Sequence, residues 1–180
     1  MKESIPIEGV SCTELLRHKD GRGCLTEVFR QSWLPEEIVQ WNLIRNSPAS
    51  LRGMRVHVVH TDYVVPVDGS VFVALTDLRK KSNTYLASWT AEFGADHDSA
   101  LVIPPGVAHG FLSMAESCQL VAVSRYWDPA DELGCNWRDP KLGISWPIPE
   151  PLVSESDRQL PGLQRLLDQL EDFQASFITG

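Results

Sequence analysis

Apolar and polar residues alternate in short runs along most of the chain up to Trp127, and these runs predict β-strands. Successive side chains of a strand point to opposite faces, so a period of two indicates strands with one buried face. Turn-forming sequences such as Asp20-Gly21 and Asp68-Gly69 separate the runs. No helical segments lie between them, which favours an all-β jelly roll over a parallel α/β fold. The predicted strands are Leu25 to Phe29, Ile38 to Leu43, Gly53 to Val59, Val71 to Leu75, Leu86 to Trp89, Ala100 to Ile103 and Leu120 to Tyr126.

The spacing of apolar residues changes near the C-terminus. From Pro161 onward, apolar residues recur three or four positions apart, which places them on one face of an amphipathic helix. Those residues are Leu163, Leu166, Leu167, Leu170 and Phe173. A chain of 180 residues suffices for one sizeable core but not comfortably for two. We therefore expect a single domain over residues 1–180, an all-β barrel with a C-terminal helix packed on it.

Composition narrows the range of partners. The net charge of −8 argues against a general surface for nucleic acid or for anionic membranes. No segment approaches the roughly 20 apolar residues of a membrane-spanning helix, and no signal peptide opens the chain. The four cysteines are dispersed without a Cys-x-x-Cys pair, so we expect reduced thiols rather than a zinc site or a disulfide framework. These features predict a cytoplasmic protein.

Several motifs follow one another in a set order along the chain. They are Asp20-Gly21-Arg22-Gly23, Gln40-Trp41-Asn42, Leu51-Arg52-Gly53, Asp77-Leu78-Arg79, Ile103-Pro104-Pro105-Gly106-Val107-Ala108-His109-Gly110-Phe111, Trp137-Arg138-Asp139-Pro140, Ile144-Ser145-Trp146-Pro147 and Ser154-Glu155-Ser156-Asp157. In this order they resemble the dTDP-4-dehydrorhamnose 3,5-epimerase family of cupin-type jelly rolls. The resemblance runs from about Ile5 to Leu167. A single motif would be weak, but the ordered set is specific.

The resemblance implies a protein that binds a dTDP-linked 4-keto-6-deoxyhexose inside the barrel. Family members invert C3 and C5 through an enolate, without a metal or redox cofactor, and usually form homodimers. Arginine pairs bidentately with phosphate oxygens, and amide side chains satisfy polar edges of a base or sugar. The ligand-contacting positions that the resemblance implies are Arg22, Glu27, Gln40, Asn42, Arg52, His109 and the aromatic Trp127.

The positions of the proton-transfer residues depart from the family pattern. The resemblance implies a histidine base where this chain has Arg55, a lysine near Asp62 and a proton-donating tyrosine at Val121. Only Asp157, the partner of the missing histidine, matches. Arginine stays protonated and cannot accept a proton, and loss of a general base typically costs about 10²–10⁴-fold in rate. We therefore expect a salt bridge between Arg55 and Asp157, and these residues argue against ordinary double epimerisation.

His57 is the nearest residue that can replace the base. On a strand from Gly53 to Val59 it shares a face with Arg55, about 7 Å further along. Catalysis by a displaced base is one interpretation, and a polar residue that lines the pocket is the other. A shift of that length spoils the alignment of reacting atoms, which favours the second interpretation.

A metal site is a further alternative. The Pro104-x-Gly106-x-x-His109 sequence also matches the second half of a metal-cupin motif, which His57 and His60 would complete. However, the His-x-His pair of metal cupins is absent, and alternation predicts that His57 and His60 point to opposite faces. We therefore expect no metal and no cofactor.

These observations favour a sugar-nucleotide epimerase or isomerase of deoxysugar biosynthesis with an altered active site. Its partner would be a nucleotide-linked sugar, and the protein would be a homodimer. A non-catalytic sugar-nucleotide binding module is the main alternative, because the polar binding residues remain while the proton-transfer residues do not. A metal-dependent cupin is the third.

Overall fold

The computed structural model describes residues 2–3, 5–94 and 98–178. Its strands are β1 (Lys2–Glu3), β2 (Ser11–Glu14), β3 (Arg17–Asp20), β4 (Gly23–Thr26), β5 (Gln40–Asn46), β6 (Ser50–Val56), β7 (Asp62–Asp68), β8 (Val71–Asp77), β9 (Ser88–Phe93), β10 (Ser99–Ile103), β11 (Val107–Ser113), β12 (Ser117–Val123), β13 (Leu133–Gly134) and β14 (Leu152–Val153). Two helices follow, α1 (Glu155–Arg158) and α2 (Leu163–Ile178).

Two sheets face each other in a cupin-type jelly roll, as the sequence predicts. The first has the order β1-β2-β10-β7-β12-β5, and the second has the order β13-β6-β11-β8-β9 with β14 paired parallel to β6. Strands β3 and β4 form a separate hairpin. Neighbours within both sheets otherwise run antiparallel, so alternate residues of each strand point into the space between the sheets.

Apolar side chains fill one end of the space between the sheets. Val64 and Leu101 from the first sheet pack with Val73, Leu75 and Val107 from the second. This cluster forms an apolar core between the two sheets.

Helix α2 covers the outer face of the second sheet and confirms the helix predicted from the apolar spacing. Leu163, Leu166 and Leu170 are buried against residues of β6 and β11 such as Leu51 and Leu112. Complete burial of such a leucine stabilises the fold by roughly 1.5–3 kcal/mol. No helix in the described ranges is long and apolar enough to cross a membrane.

Two central strands were not predicted. Strand β7 lies between β10 and β12, and β11 lies between β6 and β8, so both edges of each strand are paired. Four consecutive residues of β7, Asp62 to Val65, are buried, and the same holds for Val107 to Gly110 of β11. Burial on both faces removes the alternation that reveals a half-buried strand, and Pro66 further obscures β7.

Candidate functional site

Arg55, on β6, forms an ion pair with Asp157 of α1, as the sequence predicts. Its Nε lies 2.7 Å and its Nη2 2.5 Å from Asp157 Oδ1, and Nη2 also donates to Ser156 Oγ at 3.1 Å. The side chains are 17% and 8% exposed. Ser154 caps α1 by accepting the Asp157 N–H, which fixes the carboxylate at the edge of β6. The carboxylate therefore orients a guanidinium group rather than an imidazole.

Gly53 permits the close approach of β6 to β11 beside this pair. Its φ is 113°, and a Cβ there would lie 2.5 Å from the His109 carbonyl oxygen. The register between β6 and β11 shifts between His109 and Phe111, so the ladder is irregular at this point. Only glycine fits this backbone, which explains the Arg52-Gly53 sequence.

A polar network holds the exposed side chain of Arg52 on β6. Its Nε donates to Asn46 Oδ1 at 2.7 Å, and Asn46 lies on β5 of the opposing sheet. The Asn46 amide in turn contacts Ser117 Oγ at 3.4 Å, and Ser117 pairs with Ser113 at 2.9 Å. This network joins the two sheets and leaves the Arg52 guanidinium exposed for an anionic group.

Gln40 and Asn42 lie two positions apart on β5, on the face that points into the barrel. The Gln40 amide donates to Asn42 Oδ1 at 3.0 Å, and the Trp127 N–H donates to Gln40 Oε1 at 3.0 Å. Asn42 is paired with Val121 of β12, which packs against the interior cluster. Trp127 is 51% exposed. The structure therefore brings Gln40, Asn42 and Trp127 together beside the position of Val121.

Three histidine rings gather on the other wall of the barrel. The His57 ring stacks on His60 with centroids 4.1 Å apart, and it lies 5.3 Å from the ring of His109. His109 is 7% exposed, and its Nδ1 lies 3.3 Å from the Val107 carbonyl oxygen. Asp62 is buried beside them, with Oδ1 3.7 Å from His60 Nε2. That distance is too long for a hydrogen bond.

This stacking corrects the prediction that His57 and His60 point to opposite faces. The predicted strand from Gly53 to Val59 ends at Val56, and residues 57–61 form an irregular connection to β7. Within that connection the His57 carbonyl accepts the Gly106 N–H at 2.7 Å, and Asp131 accepts the Val58 N–H at 2.8 Å. Alternation holds only within a strand, so it does not apply to His57 and His60.

Burial and charge shape the electrostatics of the histidine wall. Burial lowers the pKa of His57 from 6.5 to about 4, because the charged imidazolium would lose its hydration. Burial also acts to lower the pKa of His60, but the carboxylates of Asp62 and Asp131 outweigh it and raise that pKa. For Asp62, burial opposes ionisation, yet the neighbouring histidines lower its pKa. His57 is consequently neutral at neutral pH.

Arg22 and Glu27 stand apart from the barrel wall. Arg22, on the turn of the β3–β4 hairpin, is 91% exposed and pairs with Asp20. Glu27 follows the hairpin and pairs with Arg30 at 2.5 Å. His18 is exposed and lies on β3, and His97 lies outside the described residues. Asp98 links the hairpin to the first sheet, because it accepts a hydrogen bond from Thr26 Oγ1 at 3.1 Å and pairs with Arg17.

Asp131 was missed by reasoning from the sequence. It is 5% exposed, and its Oδ2 lies 2.8 Å from His60 Nδ1. It lies more than seventy positions after the histidines, in a short turn of helix that carries no motif. Its position next to His60 follows from chain folding alone.

Comparison with known proteins places this geometry in a family. The model of the family described as dTDP-4-dehydrorhamnose 3,5-epimerase matches residues 4–165. The chain belongs to the dTDP-4-dehydrorhamnose 3,5-epimerase family. This is a family of carbohydrate epimerases, so the expectations of the resemblance for family, fold and enzyme class are confirmed.

Two relatives within the epimerase family are identical to this chain at about a third of the aligned positions. The dTDP-4-dehydrorhamnose 3,5-epimerase of Pseudomonas aeruginosa is 34% identical over 151 residues, covering 78% of this chain and 83% of the relative. That of Neisseria gonorrhoeae is 36% identical over 77% of this chain, and the match spans only 45% of the relative's length. The structure of a double mutant of ChmJ, a 3'-monoepimerase from Streptomyces bikiniensis, was solved in complex with dTDP. It superposes with a TM-score of 0.82 at 29% identity, over 95% of this chain and 89% of that chain.

Proposed function

We propose that this protein binds a dTDP-linked 4-keto-6-deoxyhexose in its barrel and acts in deoxysugar biosynthesis without catalysing ordinary double epimerisation. The observation that carries the proposal is the ion pair of Arg55 with Asp157, whose two contacts measure 2.7 and 2.5 Å. A carboxylate that would orient a histidine base instead neutralises a guanidinium group. Arginine has no lone pair available for a proton from carbon, so the position cannot serve as the base.

Ligand binding is supported by the polar groups that remain around the barrel. Arg52 presents an exposed guanidinium on β6, and Gln40 and Asn42 present amides on the facing wall. His109 adds a ring nitrogen on the second sheet. The ChmJ double mutant, with one histidine and one tyrosine replaced, was solved in complex with dTDP. That complex supports the view that nucleotide binding in this family does not require every titratable residue.

His57 is the candidate for a displaced base. It is neutral at neutral pH and its Nδ1 is buried without a partner, so a lone pair is available. A pKa of about 4 makes it a weak base, however, because proton abstraction is most effective with a pKa near the working pH. We therefore expect slow proton exchange from His57 and none from Arg55.

Hydrogen exchange tests the proposal directly. The protein is incubated with dTDP-4-keto-6-deoxyglucose in D₂O, and deuterium at C3 and C5 is followed by NMR or mass spectrometry. We expect exchange at least about 10²-fold slower than that of a family member with an intact base. His57→Gln removes the residual exchange if His57 is the base. Exchange as fast as in the ordinary enzymes refutes the proposal.

A restoration experiment complements it. The double substitution Arg55→His and Val121→Tyr returns an imidazole beside Asp157 and a phenol beside Asn42. We expect this variant to gain exchange that wild type lacks, whereas Arg55→Gln, which also removes the cation but adds no base, does not. Equal exchange in the two variants contradicts the assignment of position 55.

A non-catalytic binding module is the second candidate, favoured by the same ion pair together with the retained polar walls. It predicts tight binding of the sugar nucleotide with no deuterium incorporation at either carbon. Calorimetric titration with dTDP supplies the binding half of that comparison. We expect an Arg52→Ala variant to bind dTDP about 10- to 100-fold more weakly. A hydrogen bond to a charged group is worth about 1.5–3 kcal/mol, and its loss weakens binding by that factor.

We further propose that the protein is a homodimer formed through the outer face of the first sheet. Trp41, Leu43 and Val67 lie on that face and are 41%, 54% and 51% exposed. Apolar side chains grouped on one sheet face favour packing against another protein surface. Light scattering on wild type and on Leu43→Glu tests the assembly. We expect a dimer that dissociates in the variant, and a monomeric wild type refutes the proposal.

A further inference from the structure

The histidine wall places His57, the candidate base of the proposed function, beside two residues that the proposed function does not use. One ligand-type atom from each of His57, His60 and Asp62 lies within 4.8 Å of the other two. We propose that these three residues bind a divalent transition-metal ion such as Zn²⁺ or Fe²⁺. Two imidazole nitrogens with one carboxylate form a ligand set typical of such ions, and harder ions such as Mg²⁺ prefer oxygen ligands alone.

Unpartnered buried nitrogens are the first support for the site. His60 is 2% exposed, and its Nε2 has no hydrogen-bond partner. The Nδ1 of His57 is likewise buried without a partner. A buried polar atom without a partner costs about 1–3 kcal/mol, so such atoms are rare unless they have a function. Here two of them belong to neighbouring rings stacked 4.1 Å apart.

Asp131 supplies the second support, because its carboxylate lies behind the ring of His60. Its Oδ2 is 2.8 Å from His60 Nδ1 and has no other hydrogen-bond partner. A carboxylate in that position commonly orients a histidine ring whose other nitrogen binds a metal. Asp131 itself is held by the Val58 N–H.

His109 lies beside this cluster and is not part of it. Its ring lies 5.3 Å from that of His57, and its Nδ1 faces the Val107 carbonyl oxygen at 3.3 Å. That contact favours a proton on Nδ1 and leaves the lone pair on Nε2.

Metal binding requires a small movement of side chains. An imidazole nitrogen binds an ion that lies in the plane of its ring. The ring planes of His57 and His60 are only 28° apart, so the line where they meet lies too far from both rings for one ion to bind both. One ring must therefore turn about its Cβ–Cγ bond. Ligand atoms around a first-row ion lie about 3 to 3.6 Å apart, so the three groups must also draw closer than 4.8 Å.

The competing explanation is a purely structural one. His60 would be a buried cation between the carboxylates of Asp62 and Asp131, with no role for His57 Nδ1. The two explanations differ in one measurable property. A cation bridge excludes a metal ion from the site, whereas a metal site takes up one ion per chain.

The test uses the full chain after removal of any affinity tag and treatment with a chelator. Co²⁺ is titrated while its ligand-field absorption is recorded, and Zn²⁺ is then titrated by calorimetry and by displacement of Co²⁺. We expect one ion per chain. His60→Ala should lower the affinity at least about 100-fold, and Asp62→Asn should weaken it strongly. His18→Ala, which removes an exposed histidine of β3, is the matched control and should bind as wild type does.

Asp131→Asn keeps the shape of the side chain but replaces the carboxylate with an amide. We expect it to weaken binding about 10- to 100-fold, the usual effect of losing an orienting residue behind a ligand. Circular dichroism and thermal unfolding of each variant establish that it is folded. Should His60→Ala not fold, Asp131→Asn and His57→Gln decide the question.

Stoichiometric binding that is lost in these variants and kept in His18→Ala supports the site. An absence of stoichiometric binding to wild type, or binding unaffected by His60→Ala and Asp131→Asn, overturns it. Titration of the His60→Ala variant with dTDP separates this result from the proposed function. We expect nucleotide affinity within about twofold of wild type, because Arg52, Gln40 and Asn42 lie on other strands.

Discussion

The carboxyl group of Asp77 offers a sharp test of the electrostatic reasoning. It lies at the end of β8 with a fully buried side chain, and it accepts hydrogen bonds from Arg79 Nε at 2.8 Å, Ser82 Oγ at 2.6 Å and Thr84 Oγ1 at 2.6 Å. Burial raises the pKa of this carboxyl, but the hydrogen bonds outweigh burial and lower the pKa from 3.8 to about 2. The folded state therefore favours the ionised form.

The contribution of Asp77 to the free energy of unfolding follows from that lowered pKa. A tenfold change in proton affinity corresponds to about 1.4 kcal/mol, so the lowered pKa contributes about 2 kcal/mol before screening. The Arg79 side chain is 25% exposed, and solvent screening reduces the contribution to about 1 to 2 kcal/mol. Because the folded pKa lies below the unfolded one, this stability is present above pH 4. It is lost as the pH falls from 4 to 2.

The assay is urea unfolding of wild type and of Asp77→Asn at pH 7 and at steps down to pH 2. We expect the variant to be about 1 to 2 kcal/mol less stable at pH 7 and the difference to shrink below pH 4. Asp168→Asn, an exposed carboxyl on α2, is the control and should stay within about 0.5 kcal/mol. A difference that does not change with pH refutes the reasoning.

Three further predictions concern packing and backbone, and each is checked by urea or thermal unfolding. Arg55→Ala leaves the buried Asp157 unpaired and should lower the free energy of unfolding by about 3 kcal/mol. Its control, Arg158→Ala, breaks only an exposed contact of 4.0 Å and should lower it by less than about 0.5 kcal/mol. Leu166→Ala opens a cavity under α2 and should cost about 2–5 kcal/mol, and a loss below 1 kcal/mol would contradict the burial of that leucine. Gly53→Ala should lower the free energy of unfolding by at least about 2 kcal/mol, because the new Cβ would clash with the carbonyl oxygen of His109. Gly21→Ala is its control, because a Cβ at that position has no atom within 4 Å.

The sequence by itself determined several parts of this protein. Strand β5, whose outer face is exposed, alternates visibly, and Leu163 to Leu170 show the period of a helix. Ordered motifs identified the family, and residue chemistry showed that Arg55 cannot act as a base. These features are local, since each depends on neighbours in the chain or on the side chain alone.

The tertiary structure decided which residues that are distant in the sequence come into contact. Asp157 lies 102 positions from Arg55, yet their side chains pair, as the sequence resemblance had suggested. Asp131 came beside His60 with no signal in the sequence. His57 and His60 stack because β6 ends at Val56, where tertiary hydrogen bonds to Gly106 and Asp131 replace the ladder. Side chains alternate between the two faces only within a strand. The residue at which a strand ends depends on the tertiary contacts of its backbone.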